Sequence, residues 1–305
     1  MLMTILNLLI LLIAPFIMLG VIKKTKAFWA GRKGVNILQP LWDFIKLMKK
    51  GAVYSRTTTW IFKFAPIISF GTVLFSAFFV PLINGVAIIE IPFAFIIFAY
   101  VLALGKFFSI ISALDTGSSF EGMGASREAC FSTIVEPAFF IAMASIAALS
   151  QNYTFASFKT IFASAGVYGY LIVALAIVTL FVMLLVEACR VPVDDPTTHL
   201  ELTMIHEVMI LDNSGVDLAL ITWLSAIKMF LFEALIANLM IPAGLSLGTT
   251  AWLFLLILIS LSILIGTVES AIARFRMTHV FEFIFIMTLT SLLILALVTY
   301  RLYGN

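Results

Sequence analysis

Between Val186 and Gly215 the chain gathers Glu187, Asp194, Asp195, Glu201, Glu207 and Asp212 around a single fixed cation, Arg190, together with two of its three histidines, His199 and His206. Exposed, these acids are a solvated loop. Buried, a carboxyl group holds its proton more tightly and a neighbouring charge tunes it, so a row of such groups with water between them can relay protons. Elsewhere, the acids in or at the ends of apolar runs are Glu136, Glu233, Glu269 and Glu282, and the bases are Lys106 and Lys228. An ionised group at mid-membrane costs roughly 2.5–3.5 kcal/mol on insertion scales, so each is expected to face a polar interior. Lys228 and Glu233 lie five apart, about 140° around a helix, so each is expected to find its partner on another helix. Glu187 and Arg190 are three apart and read as an intrahelical pair, either structural or part of a proton path. Glu136 precedes Pro137, which removes a backbone donor and loosens a helix. It reads as a neutral acid tied to a neighbour or as a proton carrier.

Other chemistries are poorly served. There is no HExxH, His199 and His206 are seven apart, and Glu201 and His206 share no metal-binding face, so no metal site is expected. The two cysteines, Cys130 and Cys189, form no CxxC. That excludes a disulfide framework and an all-cysteine iron–sulfur or zinc site on this chain, and both read as small buried hydrophobes. The glycine-rich segment 115–128 lacks the GK[ST] of a P-loop. Its Gly117, Gly122 and Gly124 read as turn formers, with Ser126, Arg127 and Glu128 opening the next helix. A net charge of +2 is too small to imply a nucleic-acid partner.

The elements that must hold these groups are transmembrane helices. The chain is 63% hydrophobic and 11% charged, against about half and a quarter in soluble domains. Apolar runs of about twenty residues fall at Leu2–Ile22, Ile61–Ile83, Ile91–Leu114, Ala129–Leu149, Val167–Ala188, Val216–Ile241, Thr250–Ile272 and Val280–Tyr300. The expected fold is an all-α polytopic membrane protein, one transmembrane domain over residues 1–305 with no soluble domain. The first run has no basic start and no small-residue cleavage site, so it reads as a retained helix. Fourteen of the eighteen basic residues fall on one side of these spans. The excess of Lys and Arg marks the inner side, which places both termini outside and loops 23–60, 115–128 and 189–215 inside. No internal repeat supports a secondary transporter.

In the first inner loop, Leu41, Phe44, Ile45 and Met48 share one helical face and Gly51 offers a C-cap. This predicts an amphipathic surface helix, a membrane anchor or a floor under a partner subunit. In the third, Asp194, Asp195 and Pro196 set up a new start, with Thr197 or Thr198 as N-cap and Glu201 at capping-box spacing from Thr198. A short helix is expected through His199, Glu201, Met204, His206 and Glu207 to Asn213-Ser214-Gly215.

Several stretches occur together and in order: Arg32-Lys33-Gly34, Leu38-Gln39-Pro40 and DFIKL; Gly124-Ala125-Ser126-Arg127-Glu128-Ala129 and then Glu136; Glu187-Ala188, Arg190, Pro192 and Asp194; and Ala273-Arg274-Phe275-Arg276. In these the chain resembles the membrane subunit of respiratory complex I that adjoins the quinone site, and its homologue in membrane-bound [NiFe] hydrogenases. The short Arg32–Gln39 segment, LDTGSSFEGMGASREA and VESAIARFR with Glu269 resemble the hydrogenase branch, that of formate hydrogenlyase subunit 4 and the energy-converting hydrogenases. Quinone-type members usually carry an arginine where Glu269 stands.

The resemblance implies a non-catalytic membrane subunit of an oxidoreductase complex in the cell inner membrane. It implies coupling of electron transfer to proton or sodium translocation. The implied coupling residues are Glu136, Glu187, Arg190, Asp194, Glu201, Glu207 and Arg127, and the implied docking residues are Arg32, Lys33, Gln39, Asp115, Arg274 and Arg276. The implied partners are a hydrogenase-like large subunit and an Fe–S small subunit on the inner face, antiporter-like membrane subunits and the lipid bilayer. Redox cofactors, [4Fe–4S] clusters and a NiFe site, belong to those partners, with none on this chain. A quinone-binding subunit, a purely structural anchor and a stand-alone transporter are the competing readings.

Overall fold

The computed structural model describes residues 2–83, 85–155, 158, 161, 166–195 and 204–303. The apolar runs form eight helices: α1 (Leu2–Trp29), α3 (Trp60–Ala77), α4 (Ala94–Asp115), α5 (Ser119–Ser150), α6 (Val167–Glu187), α8 (Gly215–Met240), α9 (Leu247–Ala271) and α10 (Met277–Tyr303). All eight are long and apolar enough to cross a membrane, and the protein is a multi-pass membrane protein. Two shorter helices, α2 (Gln39–Met48) and α7 (His206–Met209), lie in the first and third long loops.

Helix α8 is the hub. It is buried on every side along much of its length: from Met229 to Leu239 no residue exceeds 2% exposure. Helices α1, α3, α6 and α9 pack around it, α2 lies against it, and α10 closes the bundle against α5 and α6. Outward faces such as Leu256, Ile259 and Ile263 of α9 remain exposed, as lipid-facing surfaces do.

Three local features position the site. First, α1 runs beyond its apolar stretch to Trp29, so Lys23 to Lys26 are helical. Small residues let its last turns approach α9 closely. A Cβ on Gly266 would sit 2.8 Å from Thr25 Cβ and 3.0 Å from the Ile22 carbonyl oxygen, and Trp29 Nε1 donates to Thr267 Oγ1 at 3.2 Å. Second, α2 begins with Pro40 in its first turn, where a missing N–H costs nothing. Its inward face is Pro40, Asp43, Phe44 and Leu47. This is rotated from the expected face, because Phe44 turns toward Trp223 (ring centroids 4.8 Å apart) while Met48 is exposed. The helix ends with Lys49 as C-cap, ahead of Gly51.

Third, α5 begins at Ser119, well before the expected start. Gly117 makes the expected turn with φ +72, but Gly122 and Gly124 are helical. Gly124 is there for close approach. A Cβ at that position would collide with the Val208 side chain and lie 2.7 Å from Ile205 O and 2.9 Å from Met209 Cγ. Gly124→Ala is therefore expected to lower stability by about 1–3 kcal/mol, the usual cost of overpacking. Thermal unfolding of the purified protein in detergent checks it, and an unchanged midpoint would mean that α7 can back away. Helix α7 itself is one turn. The expected capping box of Thr197 or Thr198 with Glu201, and His199, fall outside the described residues. Met204 precedes the helix, and Gly215 opens α8.

Candidate functional site: a chamber and a buried ion cluster

A chamber of ≈ 340 Å³ lies between α1, α2, α7, α8, α9 and the end of α6. Phe16 and Phe44 form its apolar end, backed by Trp223, whose ring stacks on Phe16 with centroids 5.7 Å apart. Phe70 of α3 packs on the same indole at 4.9 Å. The polar end holds Lys26, Asp43, Arg190, Glu207 and Glu269. Glu269 has a fully buried side chain and bridges two cations, Lys26 Nζ at 2.8 Å and Arg190 Nη1 at 3.2 Å.

Deeper in the bundle is a second set of charges. Glu187, at the end of α6, accepts from Lys106 of α4 and Lys228 of α8, each at 2.6 Å. Lys106 also donates to Ser132 at 2.8 Å and lies 3.7 Å from Glu128, both on α5. Two cations thus face two carboxylates, each charge from a different helix. Buried charges are tolerated when paired in this way. A cavity of ≈ 40 Å³ adjoins the cluster, large enough for water. Glu233, one helical turn and a half further along α8, forms no ion pair among the described residues and accepts from Ser262 Oγ at 3.0 Å.

Asp194 performs a different task. It is 1% exposed. One carboxylate oxygen accepts from Asp195 N at 2.9 Å and Arg274 Nη2 at 3.1 Å, and the other from Ile205 N at 3.1 Å and His206 N at 2.9 Å. It clamps the two ends of the acidic stretch together and starts α7. Arg127 lies in the field of Asp194 and Arg274 and donates to the Met204 carbonyl at 2.8 Å. Phe275 N donates to the Pro192 carbonyl at 3.0 Å, which ties the α9–α10 turn to the same place.

The expected Glu187–Arg190 pair does not form. Helix α6 ends at Glu187, Cys189 takes a left-handed conformation (φ +51), and the turned chain directs Arg190 to α9. Lys228 and Glu233 do look to other helices, as expected. Glu136 is half-buried on α5, outside the ion pairs among the described residues, although its charge is felt at Lys106. Glu207 lines the chamber, and Glu201 lies outside the described residues. Of the docking candidates, Arg32, Lys33 and Arg276 are exposed. Gln39 is turned to Asp43 at 2.8 Å, and Asp115 accepts from Thr59 N at 2.7 Å, tying α4 to the start of α3. Arg274 is the Asp194 partner. Cys189 is buried as expected, but Cys130 faces outward from α5 and is exposed. Glu282 is an exposed partner of His279. Among the described residues no three His, Cys, Asp or Glu side chains gather as metal ligands. The site members that sequence reasoning left out are Lys26, Lys106, Glu128, Lys228 and Glu269. Lys106 and Lys228 carried the signal, being cations inside apolar runs that need anions.

A family model described as NADH dehydrogenase matches residues 2–300. The chain belongs to the NADH dehydrogenase family. This is the family that the ordered motifs resembled, through the membrane subunit of complex I. The chain is 29% identical over 278 residues to Hydrogenase-4 component C of Escherichia coli (strain K12), covering 88% of this chain and 86% of that protein. It is 34% identical over 125 residues to formate hydrogenlyase subunit 4 of the same organism, covering 41% of this chain and 40% of that one. Both relatives are hydrogenase proteins by name, in keeping with the motifs. One chain in the structure of the membrane-bound sulfane sulfur reductase, an archaeal respiratory membrane complex, matches with a TM-score of 0.81 over 96% of this chain and 98% of that one. At 18% identity that likeness speaks for the fold, which this NADH dehydrogenase family member shares with that chain.

Proposed function

We propose that the chain is the membrane anchor and coupling subunit of a hydrogenase-like, complex I-related respiratory complex. It links electron transfer in peripheral subunits to ion movement across the membrane. The observation that supports this is the succession of paired charges, built on the buried Glu269 and Glu187, in a family member: Lys26–Glu269–Arg190 at the chamber, then Lys106–Glu187–Lys228 with Glu128 behind it. In a medium of low dielectric, a charge appearing at the chamber mouth acts strongly on such groups. The chamber triad feels a redox change in a partner first. The inner cluster follows: a proton taken by Glu187 releases Lys106, whose ammonium turns to Glu128.

The distribution of Lys and Arg supports termini outside and the chamber opening inside. The exposed Arg32, Lys33 and Arg276 then face the Fe–S small subunit and the NiFe-type large subunit, which carry the redox cofactors. Antiporter-like subunits dock laterally in the bilayer. A second reading, a quinone in the chamber, draws on its volume and its aromatic end. Against it, the polar end is already closed by ion pairs.

The test is to purify the complex through a tag on this chain and reconstitute it in sealed vesicles with reduced methyl viologen as donor. Hydrogen evolution accompanied by acidification of the lumen, abolished by a protonophore, is expected. Repeating it in sodium-free and sodium-containing buffer distinguishes the two ions. Turnover in tight vesicles with no ion movement would sink the coupling role. Co-extracted quinone, with turnover that stops when it is removed, would favour the second reading.

A further inference from the structure

The chamber and the inner cluster do not merge. The residues that line both cavities are Cys189, His206 and Ser225, and they form the wall between the two. Resting on the coupling role above, we infer that His206 is the group that passes protons through this wall. A serine hydroxyl does not ionise in the working range. The Cys189 thiol is pushed up by burial, and by the carboxylates of Glu128 and Asp194, so it keeps its proton. An imidazole has one nitrogen that donates and one that accepts, so it can take a proton on one side and release one on the other.

The placement of His206 fits the task. It also lines a third small cavity with Ser109, Ser112 and Asn213. On the cluster side it faces Lys106 of α4, Glu128 of α5, Glu187 of α6 and Lys228 of α8. On the chamber side it faces Lys23 and Lys26 of α1, Asp43 of α2, Arg190, Glu207, and Glu269 of α9. Its backbone is fixed: His206 N donates to Asp194 Oδ2 at 2.9 Å, and Gly124 holds α7 against α5. Asp194 is thus a positioning residue for the imidazole. In one transfer, a ring nitrogen accepts a proton from chamber water, and the other ring nitrogen releases its own proton to water in the inner cavity beside Glu187. The ring is then neutral in the opposite tautomer, and rotation or tautomer exchange restores the starting one. No electron moves: one N–H forms as an O–H of the chamber water breaks, and the other N–H breaks as an O–H forms on the inner water.

The test uses the whole reconstituted complex with His206→Gln, His206→Ala and Glu187→Gln, each compared at equal amounts of assembled complex. Both His206 variants are expected to lose ion translocation by about a hundredfold or more, the range of a lost acid–base group. Added imidazole should restore a large part of it to His206→Ala, whose truncated side chain leaves room beside the ≈ 340 Å³ chamber, and none to Glu187→Gln. Translocation at the wild-type rate in His206→Gln, with Glu187→Gln impaired, overturns the inference while the coupling role stands. Wild-type rates in all three variants overturn the coupling role itself. A His206→Ala defect that imidazole leaves untouched assigns His206 to structure and overturns the inference as well.

Discussion

Glu187→Gln is expected to produce the largest single loss in this protein. The carboxylate is the common partner of Lys106 and Lys228 at 2.6 Å each, and its side chain is 4% exposed. The amide keeps the shape and removes the charge. Two ammonium groups then remain with Glu128, 3.7 Å from one of them, as the nearest paired anion. Breaking a buried pair by removing one member costs about 3–5 kcal/mol, mostly because the other member is left uncompensated. The amount of assembled complex should fall accordingly, and the assembled remainder should translocate ions at least about a hundredfold more slowly, as for a lost proton-transfer group. The double variant Glu187→Gln with Lys228→Met separates the two effects. Removing both charges together should return assembly toward wild type, since paired removal is often close to neutral, while translocation stays lost. Full translocation in that double variant would show that the cluster is a structural tie.

Glu269→Arg should have the second largest effect, and it acts at the chamber. Glu269 sits between Lys26 and Arg190 with no side-chain exposure. Reversal of its charge would place three cations around one buried point, where like charges repel across a low dielectric. Accumulation of the complex in the membrane should drop to a small fraction of wild type. Adding Lys26→Glu restores an anion on the neighbouring helix and should recover much of the loss, because Gly266 keeps α1 and α9 in close contact. Abundance on native gels, read for the single and double variants, decides it. Equal accumulation of wild type and Glu269→Arg would mean that the triad is more solvated than its burial implies.

Much of this architecture was legible in the amino-acid order. Runs of twenty apolar residues admit one structure in a bilayer, because only a helix satisfies its own backbone there, so the eight spans followed directly. The identity of partners did not follow. Lys106 and Lys228 announced a need for anions by lying in apolar runs, but nothing local says that both converge on Glu187, since that depends on how α4, α6 and α8 pack. Arg190 was misassigned for a specific reason: spacing within a helix means nothing once the helix has ended, and the left-handed Cys189 ends it. Asp194 was legible as an important acid, but its work as a clamp rests on four hydrogen bonds, two of them to backbone eleven and twelve residues later. The Gly124 contact was misread as turn chemistry, because close approach and turn formation both select glycine.

The contact between α1 and α9 bears on how the protein is made. Trp29 and Thr267 are 238 residues apart in sequence, yet they hydrogen-bond. Synthesis delivers α1 first, so Lys26 waits for Glu269, 243 residues later in the sequence. Arg190 waits with it for the same carboxylate. The chamber is therefore among the last features to exist during biogenesis, and a chain truncated before α9 presents two unmatched cations to the quality-control machinery. Docking of α9 against α1 and closure of the chamber thus become one event.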